Sequence, residues 1–122
     1  MANGNIKSTA LHDLSAVELI AGYGAKTFSP SEVLDDVFAH IAVWEPHIHA
    51  LYAFDSDGAR AVARDSTARW AKGAPIGVLD GVPTTVKENI ATRGVAVPMG
   101  TAATTLVPAA IDAPRACAKR VQ

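Results

Sequence analysis

A chain of 122 residues, 49% of them hydrophobic, has the size and composition of one small globular domain, which argues against wholesale disorder. Eleven basic residues against twelve acidic ones leave a formal charge of -1 with no run of like charge, arguing against nucleic-acid or membrane-surface partners. The single Cys117 rules out an internal disulfide framework and, with no His or Cys beside it, a thiolate zinc site. No stretch approaches the roughly 18 apolar residues of a membrane span, and Met1 to Asp13 lacks the apolar core of a secretory signal, so a cytoplasmic location is expected.

Ser15-Ala-Val-Glu18 is a capping-box pattern and predicts a first helix, with Val17, Leu19, Ile20 and Tyr23 following until Gly22 and Gly24 weaken it. Ser29-Pro30-Ser31-Glu32 repeats the signal with proline at the first helical position, where its missing N–H is not needed. Val33, Leu34, Val37, Phe38, Ile41 and Trp44 then recur at helical spacing as one apolar stripe, with Asp35, Asp36 and His40 on other sides and Pro46 as the expected end. Leu51 to Phe54 suits a short strand. Asp55 to Gly58 supplies turn formers and a cap, and a third helix is expected over the alanine-rich stretch from Ala59 to Lys72, closed by Gly73.

After Gly73 the pattern changes to glycine, proline and an Asp80-Gly81 turn, and Val82 to Val86 favours a strand. Alternation would put Val82, Thr84 and Val86 on one face and Thr85 and Lys87 on the other, so that Glu88 faces away from Lys87 and no ion pair is expected between them. Ala91 to Pro108 reads as ordered loop, and Asp112 with Pro114 as the cap and first turn of another helix. The chain thus divides into a helical part, residues 10–72, a lysine-bearing strand and loop, 73–108, and a helix start, 112–122, without internal repeats or a linker.

The run Gly77-Val-Leu-Asp-Gly-Val-Pro-Thr-Thr-Val-Lys-Glu-Asn-Ile-Ala-Thr-Arg-Gly94, continued by Pro98-Met-Gly-Thr101, closely resembles the stretch around the catalytic lysine of amidase signature enzymes. Leu14-Ser15-Ala16, Ser29-Pro-Ser-Glu-Val33 and Asp112-Ala-Pro114 fall in the order that family shows, so the resemblance covers nearly the whole chain to about Pro114. It implies an α/β fold: N-terminal helices plus one or two strands of a mixed sheet, truncated before the core is complete. It also implies a Ser, cis-Ser and Lys triad in which Lys87 is the base, without metal or organic cofactor, acting on a small-molecule amide. Asn89, Met99 and Thr101 would stand near the substrate or around the lysine. A strand lysine is ordinarily solvated and charged, and acts as a base only when burial and hydrogen bonding lower its pKa by several units.

The family's nucleophile lies in a Gly-Gly-Ser-Ser-Gly type segment, and none of Ser8, Ser15, Ser29, Ser31, Ser56 or Ser66 stands in a glycine-rich turn. Ser15 and Ser29 are explained as helix caps. The chain is therefore expected to be an N-terminal fragment that is inactive alone and exposes apolar surface prone to self-association. Two alternatives remain: a non-catalytic helical interaction module, and part of a glutamyl-tRNA amidotransferase A-type subunit. His40, His47 and His49 lack a carboxylate or cysteine at matching spacing, so no metal site is expected; Trp44 and Trp70 are expected to pack in the core.

Overall fold

Ser15 and Ser29 each open a helix through a reciprocal pair of hydrogen bonds. Ser15 Oγ accepts from the Glu18 N–H at 3.3 Å while Glu18 Oε2 accepts from the Ser15 N–H at 2.8 Å, and Ser29 and Glu32 repeat the arrangement at the same distances. In the computed structural model, which describes residues 9–114, these boxes start α1, Ala16–Gly24, and α2, Pro30–Ile48. The third helix, α3, spans Ser56–Ala71 and begins ahead of the alanine-rich run, because the Asp55 carboxylate accepts from the Gly58 N–H at 2.9 Å and caps it there. Gly73, at φ +68°, takes the left-handed conformation expected just past a helix end.

Pro46 does not end α2, contrary to expectation. It falls in the last turn, where the chain closes through His49 in the left-handed region and its N–H donates to the Glu45 carbonyl at 3.0 Å. The Glu45 carboxylate then accepts from the N–H groups of Ala50 and Leu51 at 3.2 and 2.9 Å, so the end is capped by side chain as well as backbone.

Leu19, Tyr23 and Val33 form the buried centre of the core, with Leu11, Leu14, Ile20, Phe28, Val37, Trp70 and Val82 packed around it. Gly22 serves this packing rather than weakening the helix to no purpose: the Phe28 ring occupies the place a Cβ on Gly22 would take. Trp70 joins the core as expected, but Trp44 is 51% exposed. The reason lies in where α3 crosses. It meets the first half of α2, through Ser31 with Thr67 at 3.0 Å and through an Asp35–Arg60 ion pair, while Phe54 reaches Phe38 edge-on at 5.0 Å between ring centroids. Past that crossing, Val43, Trp44 and Ile48 lie exposed on the second half of α2.

A 3-10 turn, Leu11–Asp13, is tied to α2 by His12, whose backbone N–H and ring Nδ1 both lie on Asp36 Oδ2, at 2.8 and 2.6 Å. The His12 and His40 rings stack at 4.0 Å. Asp36 and His40, placed off the apolar stripe by spacing, therefore hold the N-terminal turn in place.

The strands expected of an α/β fold do not form among the described residues. Leu51 to Phe54 is irregular, and so is Val82 to Lys87; the only ladder-type pairings there are isolated bridges, Arg93 with Ala109 and Ala96 with Pro108. A strand is stable only against a neighbour, and neither segment has one within residues 9–114. The described structure is accordingly three helices followed by an ordered loop segment. The helix start at 112–122 lies mostly outside the described residues, as does Cys117.

Gly81 is the backbone position on which the junction between helices and loop depends. Its φ is +85°, and a Cβ there would lie 2.6 Å from Ser66 Oγ and 2.7 Å from Pro30 Cγ. Gly81→Ala is expected to cost about 2 kcal/mol or more from left-handed strain and overpacking together, lowering the midpoint of thermal unfolding by about 10 °C. An unchanged midpoint would show that the turn relaxes freely.

Candidate functional site

The lysine segment leaves the helices from a turn held by one buried carboxylate. Asp80 is 1% exposed, and its carboxylate accepts four hydrogen bonds: Arg69 Nε at 2.8 Å and Nη2 at 2.6 Å, Ser66 Oγ at 2.8 Å, and the Ile76 N–H at 3.2 Å. The backbone on either side of that carboxylate is held too. Trp70 Nε1 donates to the Asp80 carbonyl at 2.9 Å, and the Tyr23 hydroxyl donates to the Gly81 carbonyl at 2.9 Å. Asp80-Gly81 is thus more than turn chemistry: it joins α1 and α3 to the start of the lysine segment. An Asp-Gly pair gives only the turn. The arginine that answers the carboxylate is eleven residues upstream and on the helix, and nothing in its spacing marks it.

These contacts set the charge states. The Arg69 guanidinium first, then the Ser66 hydroxyl and Ile76 amide, hold the Asp80 carboxyl below the usual carboxylate range despite its burial, and the same hydrogen bonding raises Arg69. Burial, followed by the Asp80 charge, pushes the Tyr23 phenol well above its ordinary value. Hydrogen bonds from the capping serines lower Glu18 and Glu32. Asp80 binds its proton less tightly folded than unfolded, so its contribution to stability is whole above about pH 4 and is lost as the pH falls further. Tyr23 binds its proton more tightly folded, so its contribution is whole below about pH 10 and is lost above. Urea midpoints are therefore expected to stay level between about pH 5 and 9 and to fall on both sides. A Tyr23→Phe chain that kept the same alkaline fall would remove the phenol from this explanation.

Beyond Val82, which packs on the core, the segment runs outward. Thr84, Thr85, Val86 and Lys87 are exposed. The Lys87 side chain is 68% exposed, and its Nζ lies 3.1 Å from Glu88 Oε2. The ion pair that strict alternation would have forbidden is present, because residues 82–87 are irregular and adjacent side chains need not point to opposite faces. Asn89 is exposed in the turn closed by the Ile90 N–H on the Lys87 carbonyl at 3.0 Å.

Met99 is also exposed and takes a positive φ of +54°. Thr101 donates its N–H to the Pro98 carbonyl at 3.1 Å and accepts from the Ala103 N–H at 3.1 Å, holding its own turn. Among the described residues no side-chain hydrogen bond joins Asn89, Met99 or Thr101 to Lys87. The loop as a whole is ordered by a second set of ties. The Gly94 N–H donates to the Ala109 carbonyl at 2.9 Å and the Ala109 N–H to the Val95 carbonyl at 3.0 Å, the Ala113 N–H reaches the Ala91 carbonyl at 2.8 Å, and Asp112 Oδ1 accepts from the Arg93 N–H at 2.7 Å.

Comparison with known proteins places this arrangement. The family model described as Amidase matches residues 32–115, which takes in all of α2 but its first two residues, α3, the Asp80 turn and the lysine segment. The A-type subunit of glutamyl-tRNA(Gln) amidotransferase from Acidothermus cellulolyticus is 40% identical over 86 residues, 70% of this chain and 17% of the relative. Its counterpart from Picosynechococcus is 38% identical over 71 residues, 58% of this chain and 15% of the relative. A solved structure, described as an inhibitor-bound vestigial protein complex that reveals the evolutionary origins of an s-triazine catabolic enzyme, superposes with a TM-score of 0.75 and 31% identity. It is matched over 82% of this chain and 22% of its own. The chain thus spans about a sixth of these curated relatives and less than a quarter of the solved one. The family model covers well over half of this chain, residues 32–115 of 122, and the chain belongs to the amidase signature family.

Proposed function

We propose that this chain carries the general base of an amidase, Lys87, in a triad completed by a bridging serine and by a nucleophilic serine of a Gly-Gly-Ser-Ser-Gly type segment that residues 1–122 do not contain. The observation that carries the reading is the family match across residues 32–115, with Lys87 standing in the run from Gly77 to Thr101. Lys87 would take a proton from the bridging serine, which takes one from the nucleophile as it attacks the amide carbonyl. The C–N bond would then break, the leaving amine taking that proton back through the same relay, and water would hydrolyse the acyl-enzyme to the acid. Such a base must be desolvated and unprotonated, whereas residues 9–114 leave Lys87 largely in water. The burial has to come from further parts of the fold, as do the oxyanion donors, whose removal costs roughly 3 to 4 kcal/mol each. The 122-residue chain by itself is therefore expected to release no ammonia from amides. The substrate would be a small-molecule amide and the reaction would need no cofactor. A cytoplasmic setting fits the single cysteine. Among the described residues no helix is long and apolar enough to cross a membrane.

A narrower reading is that the chain is part of an amidotransferase A-type subunit. It is supported by three relatives at 38–40% identity that are A-type subunits of glutamyl-tRNA(Gln) amidotransferases. The near-neutral charge argues against direct tRNA contact by this part of the chain.

The test is a transplant. Residues 32–115 replace the matched segment of the Acidothermus cellulolyticus relative, and the chimera is assayed for that relative's own amidotransferase activity. Activity within about tenfold of the parent supports the proposal; a folded chimera without activity contradicts it.

A further inference from the structure

Resting on the assignment of Lys87 as base, we infer that Asp80 is its positioning residue: the carboxylate shared by Arg69 and Ser66 sets where and in which direction the lysine segment leaves the helices. Asp80 touches no reacting group. It acts through the backbone, because the side-chain hydrogen bonds to residues 76–82 converge on it or on Gly81. The carboxylate accepts from the Ile76 N–H, closing the loop from the end of α3 back on itself, while Arg69 and Ser66 fix that carboxylate to the helix. The carbonyls of Asp80 and Gly81 are gripped by Trp70 and Tyr23, and the Val82 N–H donates to the Leu79 carbonyl at 3.0 Å. Val82 then enters the core, and Pro83 restricts both its own φ and the conformation of Val82.

Past Pro83 the picture changes: Thr84 through Lys87 are exposed and irregular. The turn sets the direction from which they start. Five residues of chain reach at most about 18 Å, so a change of about 10° at the turn could move Lys87 by up to about 3 Å. A misplacement of about 1 Å in an active site can cost about a hundredfold in rate. A buried carboxylate held by a two-pronged arginine restrains rotation as well as distance, since its two bonds cannot both survive a twist.

The first readout needs no activity. Residual dipolar couplings are measured by NMR on the full 122-residue chain and on Asp80→Asn, which keeps the size of the side chain but loses its charge. Arg69→Lys is the second variant, in case Asp80→Asn does not fold; it keeps a charge but not the paired geometry. The inference expects altered couplings for residues 82–88 with those of α1 and α2 unchanged. Couplings that stay the same throughout, with only a lower unfolding midpoint, would make Asp80 a stability residue and overturn it.

The second readout uses the transplant chimera. Asp80→Asn is expected to lower kcat about a hundredfold per folded molecule and Arg69→Lys less, with the pH profile keeping its shape because the base itself is intact. Unchanged kcat in both folded variants would also overturn the inference. A chimera inactive with Asp80 in place would contradict the amidase reading instead, and the couplings would still decide whether Asp80 orients the segment.

Discussion

Asp80→Ala is expected to lower the unfolding free energy by about 3 kcal/mol, the low end of what breaking a buried ion pair costs, because Arg69 keeps partial access to water. The change removes an acceptor for four donors. Ser66 Oγ, buried beside it, and the Ile76 N–H lose their partner along with the guanidinium, and a buried donor left unsatisfied costs more than its bond contributed. A small domain holds about 5–15 kcal/mol in total, and this one has few fully buried side chains to spare. The urea midpoint is expected to fall by about 2 M if the slope is about 1.5 kcal/mol per M. Arg69→Ala should cost less, because the carboxylate it strands can take up a proton. A midpoint lowered by less than about 0.5 M in Asp80→Ala would mean that water replaces the lost bonds and that the pair is not a structural centre.

The second large effect concerns chemistry. Lys87→Ala in an assembled enzyme is expected to lower kcat by about 10³-fold or more, because without a base the proton of the bridging serine has nowhere to go. KM should change little, since the lysine would act on the enzyme's own serine and not on the substrate. Lys87→Arg should fail nearly as badly: a guanidinium stays protonated and has no lone pair to offer. In the isolated chain the same substitution is expected to shift the unfolding midpoint by no more than the loss of an exposed ion pair with Glu88 allows, within about 0.5 kcal/mol.

What could be read in the sequence follows from the range of the interactions. The capping boxes at Ser15 and Ser29 are complete within four residues, so the starts of α1 and α2 were legible to the residue, and the lysine segment was recognised from contiguous text. Features that depend on distant partners were not. The segment at Val82 has strand-forming residues but no neighbouring strand among residues 9–114, and Trp44 belongs to an apolar stripe whose second half nothing described there covers. Asp80 with Arg69, and His12 with Asp36 and His40, are meetings between elements. In isolation Asp80 reads as a turn residue and Asp36 and His40 as groups off the apolar stripe, while nothing around Arg69 or His12 singles them out. Glu88 shows the converse: a rule that holds for regular strands failed where the chain is irregular, and the neighbouring lysine and glutamate met.

The central claim is that Lys87 is a catalytic base rather than a surface lysine of an amidase-like scaffold. It is tested most directly by kcat of the transplant chimera with Lys87→Ala, set beside Lys72→Ala, which removes a similar charge at the end of α3. The expected result is a loss of about 10³-fold or more for Lys87→Ala at unchanged fold, with Lys72→Ala within about twofold of the parent chimera. Equal activity in the two variants would contradict the assignment.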